Sequence, residues 1–166
     1  MKKHAIIPIF IPHLGCPCRC VFCNQQKITA RAKAVSTDEV RETVDRYLST
    51  LEELDPGEIE IAFYGGSFTA IPIEMQTAYL KVANEYIEQG QVSSLHISTR
   101  PDCIDDEILS NLRHYNVNTI ELGVQSFNDE VLTLSKRGHD SDTARKAATL
   151  IKEIGFKLGI QLMIGL

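Results

Sequence analysis

Five short apolar segments separated by amphipathic helical patterns constrain the fold of this chain more than any other feature. Residues 6–12 form an apolar run containing Pro8 and Pro12, acceptable in an edge strand that enters a loop. Residues 59–64, 95–98, 119–124 and 157–164 read as further strands. Ser36 and Glu39 match a capping box ahead of Val40, Val44, Tyr47, Leu48, Leu51 and Leu54 at helical spacing, and Asp55, Pro56 and Gly57 stop that helix. A helix over residues 73–89 puts Met75, Tyr79, Val82, Ala83, Tyr86 and Ile87 on one face, which assigns the stripe to the core, and Gly90 ends it. Helices over 105–115, 129–134 and 142–154 complete the alternation. Strands alternating with helices imply parallel pairing through right-handed crossovers, hence an α/β fold.

In such folds ligands sit at the carboxyl ends of the strands. The unusual sequences of this chain fall there. Gly65, Gly66 and Ser67 follow the second strand, Ser98, Thr99, Arg100 and Pro101 the third, and Gly123, Val124, Gln125, Ser126 and Phe127 the fourth. Gln161 to Leu166 lie in or just after the fifth. After the first strand, four of the five cysteines, Cys16, Cys18, Cys20 and Cys23, fall within eight residues. Read as Cys16-x3-Cys20-x2-Cys23, they offer three thiolates, which can hold a four-iron cluster and leave one iron open to bind something else. The competing reading is a structural zinc site on Cys16, Cys18, Cys20 and Cys23, or with His13 as a fourth ligand, although zinc ligands usually come as two pairs with a longer insert. Cys18 is expected to be a spectator and Cys103 to pack as a small apolar residue. His4, His96, His114 and His139 show no partner pattern and are expected at the surface or in the core.

The cysteine spacing, the run Phe63-Tyr64-Gly65-Gly66-Ser67-Phe68-Thr69, and Gly123-Val124-Gln125-Ser126-Phe127 with Arg137-Gly138-His139 downstream resemble the radical S-adenosylmethionine (SAM) superfamily. The similarity is to the branch shared by Elongator-like and anaerobic coproporphyrinogen-oxidase-like members, and it covers nearly the whole chain. It implies a partial (β/α)6 barrel, truncated after about five strands, with 1–166 as a single core domain incomplete at its carboxyl end. Relatives continue past the motif at Met163, Ile164, Gly165 and Leu166 with at least one more strand-helix unit.

The resemblance also implies a [4Fe-4S] cluster on Cys16, Cys20 and Cys23, with SAM chelating the open iron. Reductive cleavage of SAM would give a 5'-deoxyadenosyl radical that abstracts hydrogen from substrate. Phe22 would shield the cluster or contact adenine. Gly65, Gly66 and Ser67 would receive the methionine amino group, for which missing side chains allow close backbone approach. Gln125 and Arg137 would line the SAM pocket. Ser98 and Gln161 match pocket positions that are acidic in the coproporphyrinogen enzymes; both are uncharged here, which makes radical decarboxylation of that kind the less attractive alternative. A flavodoxin or ferredoxin-type electron donor is implied, and tRNA or RNA modification is the leading substrate expectation. A non-catalytic iron-sulfur or zinc binding module is the reading from a different class.

Composition bears on these choices. With 43% hydrophobic and 23% charged residues, 166 residues suffice for one globular domain with a core. The net charge of -5 gives no general attraction to nucleic acid, and basic residues gather only weakly, at Arg31 and Lys33. No apolar stretch approaches the roughly 20 residues of a spanning helix, and the run after His4 is too short for a signal peptide, so a cytoplasmic chain with no membrane partner is expected. Cysteines crowded this closely in such a chain suggest metal and not a disulfide frame.

Overall fold

In the computed structural model, which describes residues 4–11, 16, 18–23, 34–51 and 56–166, the apolar segments pair into one sheet of five parallel strands in the order β1-β2-β3-β4-β5. The strands are β1 (His4–Ile11), β2 (Glu58–Gly65), β3 (Ser94–Thr99), β4 (Val117–Gln125) and β5 (Lys157–Leu162). Between them run α1 (Thr37–Leu51), α2 (Ile73–Glu88), α3 (Asp106–His114), α4 (Asp129–Leu134) and α5 (Ser141–Ile154). Short 3-10 turns at Phe68–Ala70 and Pro101–Cys103 follow β2 and β3. Sequential strand order with same-handed crossovers puts α1, α2, α3 and α5 on one face, where they share the core, as in a segment of a barrel; a doubly wound sheet would reverse its order. β1 is an edge strand, so Pro8 costs no ladder partner on its open side.

Side chains alternate across the sheet with a period of two. On the helix-covered face, Ile7, Ile9, Ile11, Ile61, Phe63, Leu95, Ile97, Ile120 and Leu122 are buried in one core. Phe63 stands between Phe68, at a ring-centroid distance of 5.1 Å, and Tyr79, at 6.4 Å. Tyr79 and Tyr86 are buried with Met75 packed beside them, as the helical stripe predicts. Their hydroxyls donate to the Val35 carbonyl at 2.5 Å and to Asp45 Oδ1 at 2.7 Å. The opposite face is concave in a barrel segment and carries Ile6, Phe10, Glu60, Tyr64, His96 and Glu121.

Local signals set the helix ends. The Ser36 amide donates to Glu39 Oε2 at 2.8 Å and the Glu39 amide to Ser36 Oγ at 3.1 Å, so the capping box forms in both directions. Asp105 and Asp140 cap α3 and α5 through the Ile108 and Thr143 amides. Gly155, at φ 97°, ends α5 in the left-handed region. α1 is described through Leu51, and Leu54 and Asp55 of the expected helix end lie outside the described residues. β5 ends at Leu162, two residues short of expectation: the Met163 amide makes the last ladder bond, to the Gln125 carbonyl at 2.9 Å, and the chain turns at Ile164 and Gly165. Among the described residues no helix is long and apolar enough to cross a membrane.

Candidate active site

The end of β2 is shaped by its glycines. Gly65 has φ 96°, and a Cβ there would lie 2.9 Å from the Ile11 carbonyl oxygen. The same oxygen accepts from the Gly66 amide at 2.9 Å. Gly65→Ala is therefore expected to push β1 and β2 apart at this end. Left-handed strain alone costs an alanine about 1–2 kcal/mol, and the clash adds to it; a urea-denaturation series would measure the loss, and unchanged stability would contradict the tight approach.

Hydroxyls then tie β2 to β3. Ser67 Oγ and Thr99 Oγ1 share a hydrogen bond of 2.8 Å, and Ser67 Oγ accepts from the Arg100 amide at 3.1 Å. Thr99 Oγ1 also meets Thr69 Oγ1 at 2.5 Å, and Thr69 Oγ1 donates to the Cys103 carbonyl at 2.5 Å. Arg100, only 2% exposed, reaches across the site. It donates to both Asp102 carboxylate oxygens at 2.9 Å and to the Arg137 carbonyl at 2.6 Å. Burial opposes its charge, but the paired Asp102 carboxylate more than offsets this and raises its pKa.

β4 contributes a strained end. Gln125 adopts φ 73°, rare for a residue with a side chain and commoner at functional positions. Its Nε2 donates to Gln161 Oε1 at 3.3 Å. Arg137, 8% exposed, donates through Nη1 to Cys20 Sγ at 3.6 Å and through Nη2 to the Gly123 carbonyl. Its Nε is buried without a partner. A Cβ on Gly123 would meet Arg137 Nη2 at 3.1 Å and Gln125 Nε2 at 3.2 Å, so glycine here leaves room for both side chains. The cysteine loop is held down by the Val21 amide, which donates to the Ser135 carbonyl at 3.1 Å.

These groups surround a cavity of about 290 Å³. Cys16, Cys20, Phe22 and Cys23 form one side; Gly65, Gly66, Ser67, Ser98, Gln125, Arg137 and Gln161 form the rest. Every site residue expected from the sequence lies on its border. Thr99, Arg100, Gly123 and Met163 also line it, and sequence reasoning gave none of them a role. For Arg100 the sequence offered only its place before Pro101 at the carboxyl end of a strand; its burial belongs to the fold. A larger depression of about 560 Å³, bordered by Lys136, Gly138, His139 and Asp140, holds none of the thiols and none of the β2 glycines.

The five cysteines form no disulfide. Among the described residues no three His, Cys, Asp or Glu side chains converge closely enough to hold one metal ion; His13, Arg31 and Lys33 lie outside the described residues. Cys103 is half-buried beside Asp102, and burial pushes its thiol pKa up. His139 is buried with Nε2 unpartnered, and burial pushes its pKa down. His96, for which the sequence offered no partner, is part-buried on β3: its Nδ1 lies 3.2 Å from Glu60 Oε1, and its ring meets Tyr64 edge-on at 5.4 Å. Burial would raise the Glu60 pKa, but hydrogen bonds from His96 and Ser94 prevail and hold it below the usual carboxylate range.

Known proteins resemble this chain in sequence and in fold. The tRNA uridine(34) acetyltransferase of Methanocaldococcus infernus is 28% identical over 198 aligned positions, covering 98% of this chain and 37% of that protein. The structure of M. infernus Elp3 with residues 1–46 deleted matches with a TM-score of 0.66 at 24% identity, over 100% of this chain and 39% of that one. A structure of anSMEcpe with bound AdoMet matches with a TM-score of 0.71 at 17% identity, over 96% and 43%. The chain thus spans less than half the length of these proteins, and at such identities the solved structures speak for the fold. The sequence model of the Radical SAM superfamily matches residues 10–166. With that match running from within the first strand to the last residue, the chain belongs to the radical SAM superfamily.

Proposed function

We propose that this chain is the single core domain of a radical SAM enzyme, with a [4Fe-4S] cluster on Cys16, Cys20 and Cys23 and SAM in the adjoining cavity. The observation that carries this reading is the convergence of those three thiols and the other expected residues, Phe22, Gly65, Gly66, Ser67, Ser98, Gln125, Arg137 and Gln161, on one cavity. The donor set fits a cluster better than zinc: three soft thiols border the cavity without converging on a single point, as ligands to separate irons would. The buried, unpartnered Arg137 Nε fits an anionic group such as the SAM carboxylate. Gly65 and Gly66 leave backbone open to the methionine amino group. Gln125, Ser98 and Gln161 offer neutral polar contacts to the nucleoside, and Phe22 keeps water from the thiols.

When bound, the cluster supplies the electron that cleaves SAM to a 5'-deoxyadenosyl radical, which takes hydrogen from substrate. For the substrate, tRNA or another RNA is the reading favoured by similarity to a tRNA uridine(34) acetyltransferase, and the uncharged Ser98 and Gln161 favour it over a coproporphyrinogen-type decarboxylation. A flavodoxin or ferredoxin-type donor in the cytoplasm would reduce the cluster.

Anaerobic reconstitution with iron and sulfide, dithionite reduction, and electron paramagnetic resonance with and without SAM test this reading. A reduced four-iron signal that shifts on adding SAM is expected. Folded protein that takes no cluster and binds stoichiometric zinc would overturn it.

A further inference from the structure

Four thiols stand close together in the cysteine loop, but only three of them border the cavity. Cys18 is not among the lining residues. Its Sγ lies 3.5 Å from Arg100 Nη2, on the side of the loop facing Gly138. A Cβ on Gly138 would stand 2.2 Å from that sulfur and 3.3 Å from Arg100 Nη2, so the missing side chain is the space that Cys18 fills. Gly138 also has φ 85°, a conformation that favours glycine on its own account.

Arg100 is well placed to hold the loop. Its fork is fixed by both Asp102 oxygens at 2.9 Å and by the Arg137 carbonyl at 2.6 Å. From that fixed position Nη1 faces Cys16 Sγ at 3.9 Å while Nη2 faces Cys18. Asp102 and the Arg137 carbonyl take both Nη2 hydrogens, so the guanidinium acts on Cys18 as a rigid, permanent charge 3.5 Å from its sulfur while Nη1 faces Cys16, a planar arrangement that a lysine cannot reproduce. Without such a grip, a loop with thiols at every second position from Cys16 to Cys20 could offer Cys18 in place of either neighbour.

We propose that Arg100 is a positioning residue that sorts the cysteines, seating Cys18 against Gly138 so that Cys16, Cys20 and Cys23 alone are presented to the cavity. The ligand set this implies rests on the cluster reading above; the seating of Cys18 does not. Two readouts keep the two apart. The first is alkylation of the metal-free full chain by iodoacetamide at about pH 10, where ordinary thiols are ionised and access decides the rate, with peptide mapping of each cysteine. Arg100→Gln is expected to speed Cys18 modification about tenfold over the parent chain, the scale of one lost contact with a charged group. Arg100→Lys should restore little of the protection, and Gly138→Ala should release Cys18 with Arg100 intact, which covers the case in which Arg100→Gln does not fold. The second readout is the reduced-cluster resonance. Arg100→Gln should give a mixture of signals that collapses to one when Cys18→Ala is added, while Cys18→Ala alone keeps the wild-type iron content. Unchanged Cys18 modification in folded Arg100→Gln would overturn the proposal, as would unchanged modification in Gly138→Ala where Arg100→Gln does not fold, and so would iron loss in Cys18→Ala as deep as in Cys20→Ala. If the wild-type chain takes no cluster, the cluster reading falls, and alkylation still decides whether Arg100 seats Cys18.

Discussion

Cys20→Ala is expected to reduce the iron content of the anaerobically reconstituted protein to background while its far-ultraviolet circular dichroism stays that of the parent. Cys20 is 5% exposed and borders the cavity, and its sulfur receives the Arg137 guanidinium. Two remaining thiolates are too few to retain a cluster that depends on three. The fold should survive, because Cys20 lies outside the helix-side core and the neighbouring Val21 amide still anchors the loop on the Ser135 carbonyl. Iron retained at the parent level would remove Cys20 from the ligand set.

Phe63→Ala is expected to have the largest effect on stability. The ring is fully buried on the helix-covered face of β2 and stands between Phe68 and Tyr79, so truncation leaves a void bordered by two further aromatic rings. Such a change costs about 3–5 kcal/mol, a large share of the roughly 5–15 kcal/mol that holds a typical domain together. In urea the midpoint should fall with the slope unchanged. A loss below about 1 kcal/mol would mean that the surrounding side chains collapse into the space. Phe63 lies two residues before Gly65, so loosening here also disturbs the strand end that forms one wall of the cavity.

The parts of this architecture that could be read from sequence are those whose cause is local. Ser36 and Glu39 announce a helix start because both bonds of the capping box lie within four residues, and Tyr79 and Tyr86 announce a buried face through their spacing. The cysteines and Gly65 declare themselves through the chemistry that only those residue types allow. Arg100 and Thr99 do not, because their roles come from partners far away in the chain: Thr99 meets Ser67 across 32 positions and Arg100 meets Cys16 across 84. Glu60 and His96 likewise look like unrelated polar residues until β2 and β3 lie side by side and set them 3.2 Å apart.

The bridge between β2 and β3 is made of Ser67, Thr99 and Thr69 hydroxyls and the Cys103 carbonyl. None of these groups gains or loses a proton between acid and mildly alkaline conditions. This wall of the cavity therefore keeps its shape while carboxylates and histidines elsewhere change charge, and a ligand entering it meets side chains already fixed by one another, with little conformational entropy left to lose.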